Sequence, residues 1–253
     1  MKKFINANIY RNEDATEILV EKGVITQIGK NLPMAEEEID LKGRLVVPPY
    51  VDAHLHLDYV YTGRNDGATN DTGTLFEGIA RWHDVKKHQT YEDAKERALR
   101  GIQEEVSKGV QFIRTHIDVD DPKLTGLKAM LEIREELKDN VTIQIVAFPQ
   151  EGMYAYKGGD EMVEEALKMG ADCVGSIPHF EWAREIGEKS IHKTVELAVK
   201  YDKLIDVHCD ETDDVMSRFV ELLNALAMAE GIGPRTAASH TCPFGSADHA
   251  YAF

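Results

Sequence analysis

Residues 45–58 read LVVPPYVDAHLHLD. The segment opens as an apolar run, passes through Pro48 and Pro49, and ends with His54 and His56 one residue apart. In a strand, side chains alternate between faces, so the two imidazoles point the same way. Two neutral imidazoles on one face make half of a metal site. A bare HxH is more often a pair of histidines in a polar strand end. Here the pair closes an apolar run, where a parallel sheet places its active site, and later segments supply matching ligands.

Downstream, the pattern is strand then helix. Residues 110–118 (VQFIRTHID) read as a buried strand. They follow a helix over 91–108 that carries Leu99, Ile102 and Val106 on one face, with Thr90 and Asp93 as a capping pair and Gly109 as its end. Residues 142–149 are the third strand, after a helix over 124–137. Residues 172–179 are the fourth, after a helix over 160–169. Residues 204–210 are the fifth, after a helix over 189–201, and 236–240 the sixth, after an amphipathic helix carrying Phe219, Val220, Leu223 and Leu226.

Alternating βα units with apolar strands indicate a parallel sheet covered by helices. An open dinucleotide-binding sheet would carry GxGxxG after its first strand, and no such motif is present. Polar residues instead collect at the strand C-termini: His54, His56, His116, Gln150, His179, His208, Glu211 and His240. A (β/α)8 TIM-type barrel places its active site there. A barrel needs eight strands and about 250 residues, and six strands are legible here. The expected fold is therefore α/β, an incomplete (β/α)8 barrel over 48–253, truncated at its C-terminal end. Residues 4–9, 17–20 and 24–28 are β-rich, with Lys22-Gly23 as a hairpin turn. Residues 1–47 are expected to be the N-terminal part of a small β-sandwich domain.

The 253 residues are 43% apolar and carry a net charge of −16. No basic footprint for nucleic acid or an anionic membrane is present, and no apolar run is long enough to span a bilayer. Cys173, Cys209 and Cys242 form no CxxC pair and read as reduced thiols in a cytoplasmic protein. The expected partner is a small molecule. A six-strand partial barrel would leave a strand edge and apolar helix faces uncovered, which favours association into a homo-oligomer.

The fifth strand ends His208-Cys209-Asp210-Glu211. One reading makes His208 a third metal ligand and Glu211 a proton shuttle beside a water whose pKa the ion lowers. The other is a core histidine beside an acidic helix start, with Asp213 and Asp214. Alone, the second is the stronger; beside HxH the metal reading prevails. His240, in Ser239-His240-Thr241, can orient the water or stabilise developing charge, or be a bystander in a capping turn. Gln150 offers a donor and an acceptor on one planar amide, suited to a ring with a carbonyl beside an N–H, though taken alone a turn glutamine in solvent is the stronger reading. His116 shares a face with Arg114 and reads as structural, at the barrel rim. His179 is a candidate pocket residue. Cys209 alternates away from His208 and reads as packing. The HxE and PCxxC pair of cytidine-type zinc deaminases is absent, as is HExxH. No lysine ends the fourth strand to bridge two ions, so one metal is favoured.

The segments VVPPYVDAHLHLD, GTLFEGIARW (residues 73–82), GVQFIRTHIDVDD, LKAMLEIREEL, IQIVAFPQEG, GADCVGSIPHFE, KYDKLIDVHCDETDD and ASHT are long and specific. Through them the chain resembles the bacterial cytosine deaminases of the amidohydrolase superfamily over essentially its whole length. The resemblance implies a (β/α)8 barrel of the metal-dependent hydrolase type with a β-sandwich built from both chain ends. It also implies one divalent ion, Fe2+ or Zn2+, and hydrolysis of cytosine to uracil and ammonia. Carried over by residue, His54, His56 and His208 look like metal ligands, Gln150 like the group that reads the pyrimidine, Glu211 like the proton shuttle and His240 like the partner of the hydrolytic water. The family's remaining metal-binding aspartate is expected on a last strand beyond Phe253. Alternatives are a related cyclic amidine as substrate (isocytosine, isoguanine or creatinine) or an inactive truncated fragment of such an enzyme.

Overall fold

The computed structural model describes residues 1–64, 67 and 69–252. It divides into two compact units, Met1–Pro49 and Tyr50–Phe253.

In the first unit, β1 (Lys2–Ile5), β3 (Glu17–Glu21), β4 (Val24–Gly29) and β5 (Glu37–Asp40) form a sheet in the order β4-β3-β1-β5. Strands β2 (Asn8–Ile9) and β6 (Leu45–Val46) pair separately. The β3–β4 hairpin closes through Lys22 and Gly23, both at positive φ (51° and 81°), the backbone that matches the right-handed strand twist. The single strand expected over 4–9 is broken into β1 and β2. Asn6 sits at φ 53°, and its side chain donates to Asp40 Oδ1 at 2.9 Å, so the chain turns there.

In the second unit, six strands follow in sequence order: β7 (Tyr50–Leu55), β8 (Val110–Asp118), β9 (Thr142–Phe148), β10 (Cys173–Val174), β11 (Leu204–Cys209) and β12 (Thr236–His240). Every neighbouring pair is parallel. The helices are α1 (Leu75–Lys86), α2 (Tyr91–Ser107), α3 (Thr125–Glu136), α4 (Gly159–Met169), α5 (Arg184–Tyr201), α6 (Phe219–Ala229) and the short α7 (His249–Ala252). Thr90 caps α2, its hydroxyl accepting from Asp93 N at 3.2 Å.

The period-2 alternation of each strand decides what faces where. Ile113 and Ile117 of β8, Ile143 and Ile145 of β9, and Ile205 and Val207 of β11 pack in one core with Leu127, Met130 and Ile133 of α3 and Leu197 of α5. The intervening residues turn the other way. Arg114 Nη1 reaches Asp206 Oδ2 at 2.8 Å, Ser239 donates to Asp206 Oδ1 at 2.7 Å, and His54 Nδ1 lies 3.1 Å from Ser239 Oγ. His54 and Ser239 belong to the two outermost strands of the sheet. Their contact requires the sheet to be rolled, as in a nearly closed barrel.

In the second unit, two further elements differ from expectation. The strand expected over 172–179 is only Cys173–Val174, and Pro178–Phe180 forms a 3-10 turn. Proline cannot donate to a ladder, so His179 leaves the sheet. Helix α1 has no counterpart among the expected elements. Thr74 starts it, its hydroxyl accepting from Glu77 N at 3.3 Å.

Gly175 follows β10 where a Cβ would lie 2.7 Å from the Ala147 carbonyl oxygen and 3.0 Å from Val146 Cγ1. Gly175→Ala is expected to destabilise the protein by about 1–3 kcal/mol through overpacking, measured as a lowered midpoint in urea unfolding.

Candidate active site

Five imidazoles converge at the C-terminal ends of the strands. His54 and His56 come from β7 and its end, His116 from β8, His208 from β11 and His240 from the last position of β12. The His54 ring centroid lies 4.3 Å from that of His116, 4.7 Å from His208 and 4.7 Å from His240. His208 and His56 approach through their Nε2 atoms at 3.2 Å. The rim position expected for His116 is corrected here: it is fully buried, 4.6 Å from the His208 ring. Cys209 does point into the helix-side core.

Such crowding is tolerable only if most of the rings are neutral, because like charges at these distances repel. Burial, aided by His116 and His240, pulls the His54 pKa down to about 4. Burial likewise holds His56 and His208 well below the ordinary range and lowers His240. Ser239 gives its proton to Asp206, so it accepts from His54 Nδ1–H. That bond fixes the tautomer and leaves the Nε2 lone pair for a ligand.

Among the described residues, two sets can hold a metal ion, His54/His56/His116 and His54/His208/His240, with ligand atoms within 4.8 Å of one another in each set. Among the described residues, His56 Nδ1, His208 Nδ1 and both His116 nitrogens are buried without a hydrogen-bond partner. Buried polar atoms ordinarily have partners. His56 and His208, held neutral by burial and with unsatisfied nitrogens, fit a divalent cation.

Beside this cluster lies a cavity of about 460 Å³, with His56, His208, Glu211, His240 and Gln150 in its wall. Of the residues expected to bind metal, read the ring or move protons, His56, His208, Gln150, Glu211 and His240 meet at this cavity, and His54 stands in the imidazole cluster beside it. Glu211 Oε1 is 3.6 Å from His240 Nδ1, and burial raises its pKa to about 7. Gln150 is buried, not a solvent-exposed turn residue. His179 lines a different cavity, with Phe76, Phe180 and Trp182.

The backbone here is held in unusual conformations. Asp210, His240 and Thr241 have φ of 58°, 72° and 48°, left-handed values that cost energy in residues other than glycine. Asp210 is locked by its carboxylate. Oδ1 accepts from Ser217 Oγ at 2.6 Å and Phe219 N at 3.0 Å, and Oδ2 from Val220 N at 3.0 Å. It therefore caps α6 and fixes the backbone that presents Glu211. Residues unforeseen from sequence complete the wall. Tyr59, stacked on His56 at 4.7 Å, lines the cavity together with Leu75, Gly78, Ile79 and Trp82 of α1, and the fully buried Phe148 stacks on His208 at 4.0 Å. Phe148 was visible as an inward position of a strand; α1 left only its Thr74–Glu77 start.

Residues 37–250 match the amidohydrolase family. The chain is 32% identical over 216 residues to N-isopropylammelide isopropyl amidohydrolase of Pseudomonas sp. (strain ADP), covering 84% of this chain and 53% of that protein. The structure of 5-methylcytosine deaminase from Klebsiella pneumoniae liganded with 5-fluorocytosine superposes with a TM-score of 0.92 at 44% identity, covering 98% of this chain and 61% of that one. N-isopropylammelide isopropylaminohydrolase from Burkholderia multivorans ATCC 17616 superposes with a TM-score of 0.84 at 26% identity, over 99% and 63%. The chain thus spans between about half and two thirds of the length of these relatives.

A histidine whose folded pKa is depressed binds fewer protons folded than unfolded, so its contribution to stability is present above pH 6.5 and is lost as pH falls toward about 4. Glu211, raised from 4.5 to about 7, acts in the opposite sense, lowering stability as pH rises through that window. Metal-free protein is therefore expected to lose stability on acidification from pH 6.5 to 4, and more steeply as Glu211→Gln. Urea unfolding across pH with a chelator present checks both.

Proposed function

Because the chain belongs to the amidohydrolase family, we propose that it is a metal-dependent hydrolase that deaminates cytosine or a close relative of it, releasing ammonia. The observation that carries this is the meeting of Gln150, Glu211 and His240 with the imidazole cluster at one cavity. The 44% identity to a 5-methylcytosine deaminase supports the choice of ring.

His54, His56 and His208 would hold one divalent ion, Fe2+ or Zn2+, since imidazoles suit either. When bound, the ion would supply Lewis acidity, making water a nucleophile near neutral pH. The chain's own residues do the rest. The Gln150 amide pairs with the carbonyl and N–H edge of the ring, fixing its in-plane orientation. Glu211, with a pKa near neutrality, takes a proton from the attacking water and returns it to the ring nitrogen. His240, beside Glu211, orients that water. Addition to the amine-bearing carbon gives a tetrahedral species; its remaining hydroxyl proton passes to the amine, which leaves as ammonia as a new carbonyl forms at that carbon. Phe148 and Tyr59, stacked on two of the imidazoles, keep that side dry.

The same reading has residues 1–47 contributing to a small β-sandwich domain and 48–253 forming the barrel, in a cytoplasmic homo-oligomer. Among the described residues no helix is long and apolar enough to cross a membrane. A second reading, release of an alkylamine from a triazine ring, has the 32% relative in its favour.

The test is a panel of cytosine, 5-methylcytosine, isocytosine, isoguanine, creatinine and N-isopropylammelide with Zn2+- or Fe2+-loaded protein, following ammonia and isopropylamine. Ammonia from a pyrimidine is expected; isopropylamine alone would select the second reading, and neither product would refute both. Glu211→Gln is expected to lower kcat about a thousandfold with metal retained. Gln150→Leu is expected to raise KM about tenfold, as a buried ring edge loses its partner.

A further inference from the structure

Helix α1 forms one wall of the cavity, and its last turns lie against carboxylates at the barrel top. Trp82 Nε1 donates to Asp118 Oδ2 at 2.6 Å, and Lys86 Nζ donates to the same oxygen at 2.9 Å. Lys86 Nζ also lies 2.6 Å from Glu151 Oε1. Asp118 ends β8, and Glu151 follows Gln150 directly. Two further bonds close the loop: Asp120 N donates to Asp118 Oδ1 at 2.7 Å, and Glu151 N donates to Asp120 Oδ2 at 2.6 Å. The Lys86 ammonium is thus a junction between the helix, the β8 end and the turn that presents Gln150.

The side chains of Lys86 and Asp118 are 7% and 1% exposed. A buried charge is tolerated only when paired and hydrogen-bonded, and Lys86 meets two carboxylates. Burial alone would lower its pKa, but Asp118 and Glu151 outweigh that and lift it above the ordinary lysine range. The Lys86 ammonium therefore stays charged near neutral pH. Among the described residues, the hydrogen bonds and ion pairs that form the junction do not include the imidazole cluster.

We propose that Lys86 is a positioning residue for the cavity, holding the Gln150 turn at a fixed distance from the α1 wall and so setting the slot in which a flat ring is read. The substrate part rests on the deaminase reading; the mechanical part does not. Lys86→Met removes the junction, Glu151→Gln weakens it while sparing the backbone bond to Asp120, and Lys86→Arg retains the charge.

The experiment combines steady-state kinetics on cytosine, metal content and amide hydrogen exchange of the loaded full chain. In Lys86→Met and Glu151→Gln, KM is expected to rise about tenfold or more with kcat within about threefold, because misplaced binding groups weaken orientation. Metal content stays unchanged, exchange across residues 75–86 speeds up, and Lys86→Arg recovers most of the KM. If Lys86→Met fails to fold, Glu151→Gln decides. Unchanged KM and unchanged exchange in folded Glu151→Gln overturn the proposal, as does loss of kcat at unchanged KM. If the parent releases no ammonia from cytosine while exchange still responds, the substrate reading fails and the mechanical role stands.

Discussion

The contact on which the rest depends is the polar chain inside the rolled sheet, from Arg114 to Asp206, to Ser239, to His54. Asp206 is almost completely buried, and a buried carboxylate without partners would take up a proton or force the sheet open. Desolvation pushes its pKa up, but His116, Ser239 and Arg114 reverse this and hold it at about 2. It therefore persists as an anion in the interior. That anion orders Ser239, which sets the His54 tautomer. One charge thus serves the curvature of the sheet and the readiness of a ligand nitrogen together.

Above this layer the chemistry changes character. Four of the clustered imidazoles are driven toward neutrality by burial and by each other, while burial shifts Glu211 upward to about 7. The site thereby has neutral nitrogen donors beside a carboxyl group poised to exchange a proton near neutral pH. Perturbations of opposite sense side by side mark functional sites more than structural ion pairs. The strained backbone at Asp210, His240 and Thr241 lies at the same end of the sheet. At Asp210 it is held by the carboxylate's hydrogen bonds to the start of α6.

Much of this was legible in the sequence. The strands 110–118, 142–148 and 236–240 and the helix beginning at residue 91 stand within a residue or so of where alternation, capping and glycine placed them. The polar residues at strand ends indicated a barrel mouth. Pro178 shortened the fourth strand, an effect the apolar run around it concealed. Helix α1 went unread because its pattern, interrupted by Gly78, makes sense only against its partners. Trp82 and Lys86 pair with Asp118, more than thirty residues away. His116 was assigned the correct face and the wrong surroundings, since alternation specifies direction and not neighbours.

The sequence by itself determined direction: the period of two sends His54, His56, His116, Asp206 and His208 to one face of their strands and their apolar neighbours to the other. It also determined which donor types were on offer, imidazoles, a carboxylate and a primary amide. Only the tertiary structure decided which of them meet. His54 and Ser239 touch across 185 residues of chain, a distance settled by rolling the sheet. Protonation was likewise a tertiary matter, because a pKa depends on how much water a group has lost and which charges stand near it. Local sequence specifies neither quantity.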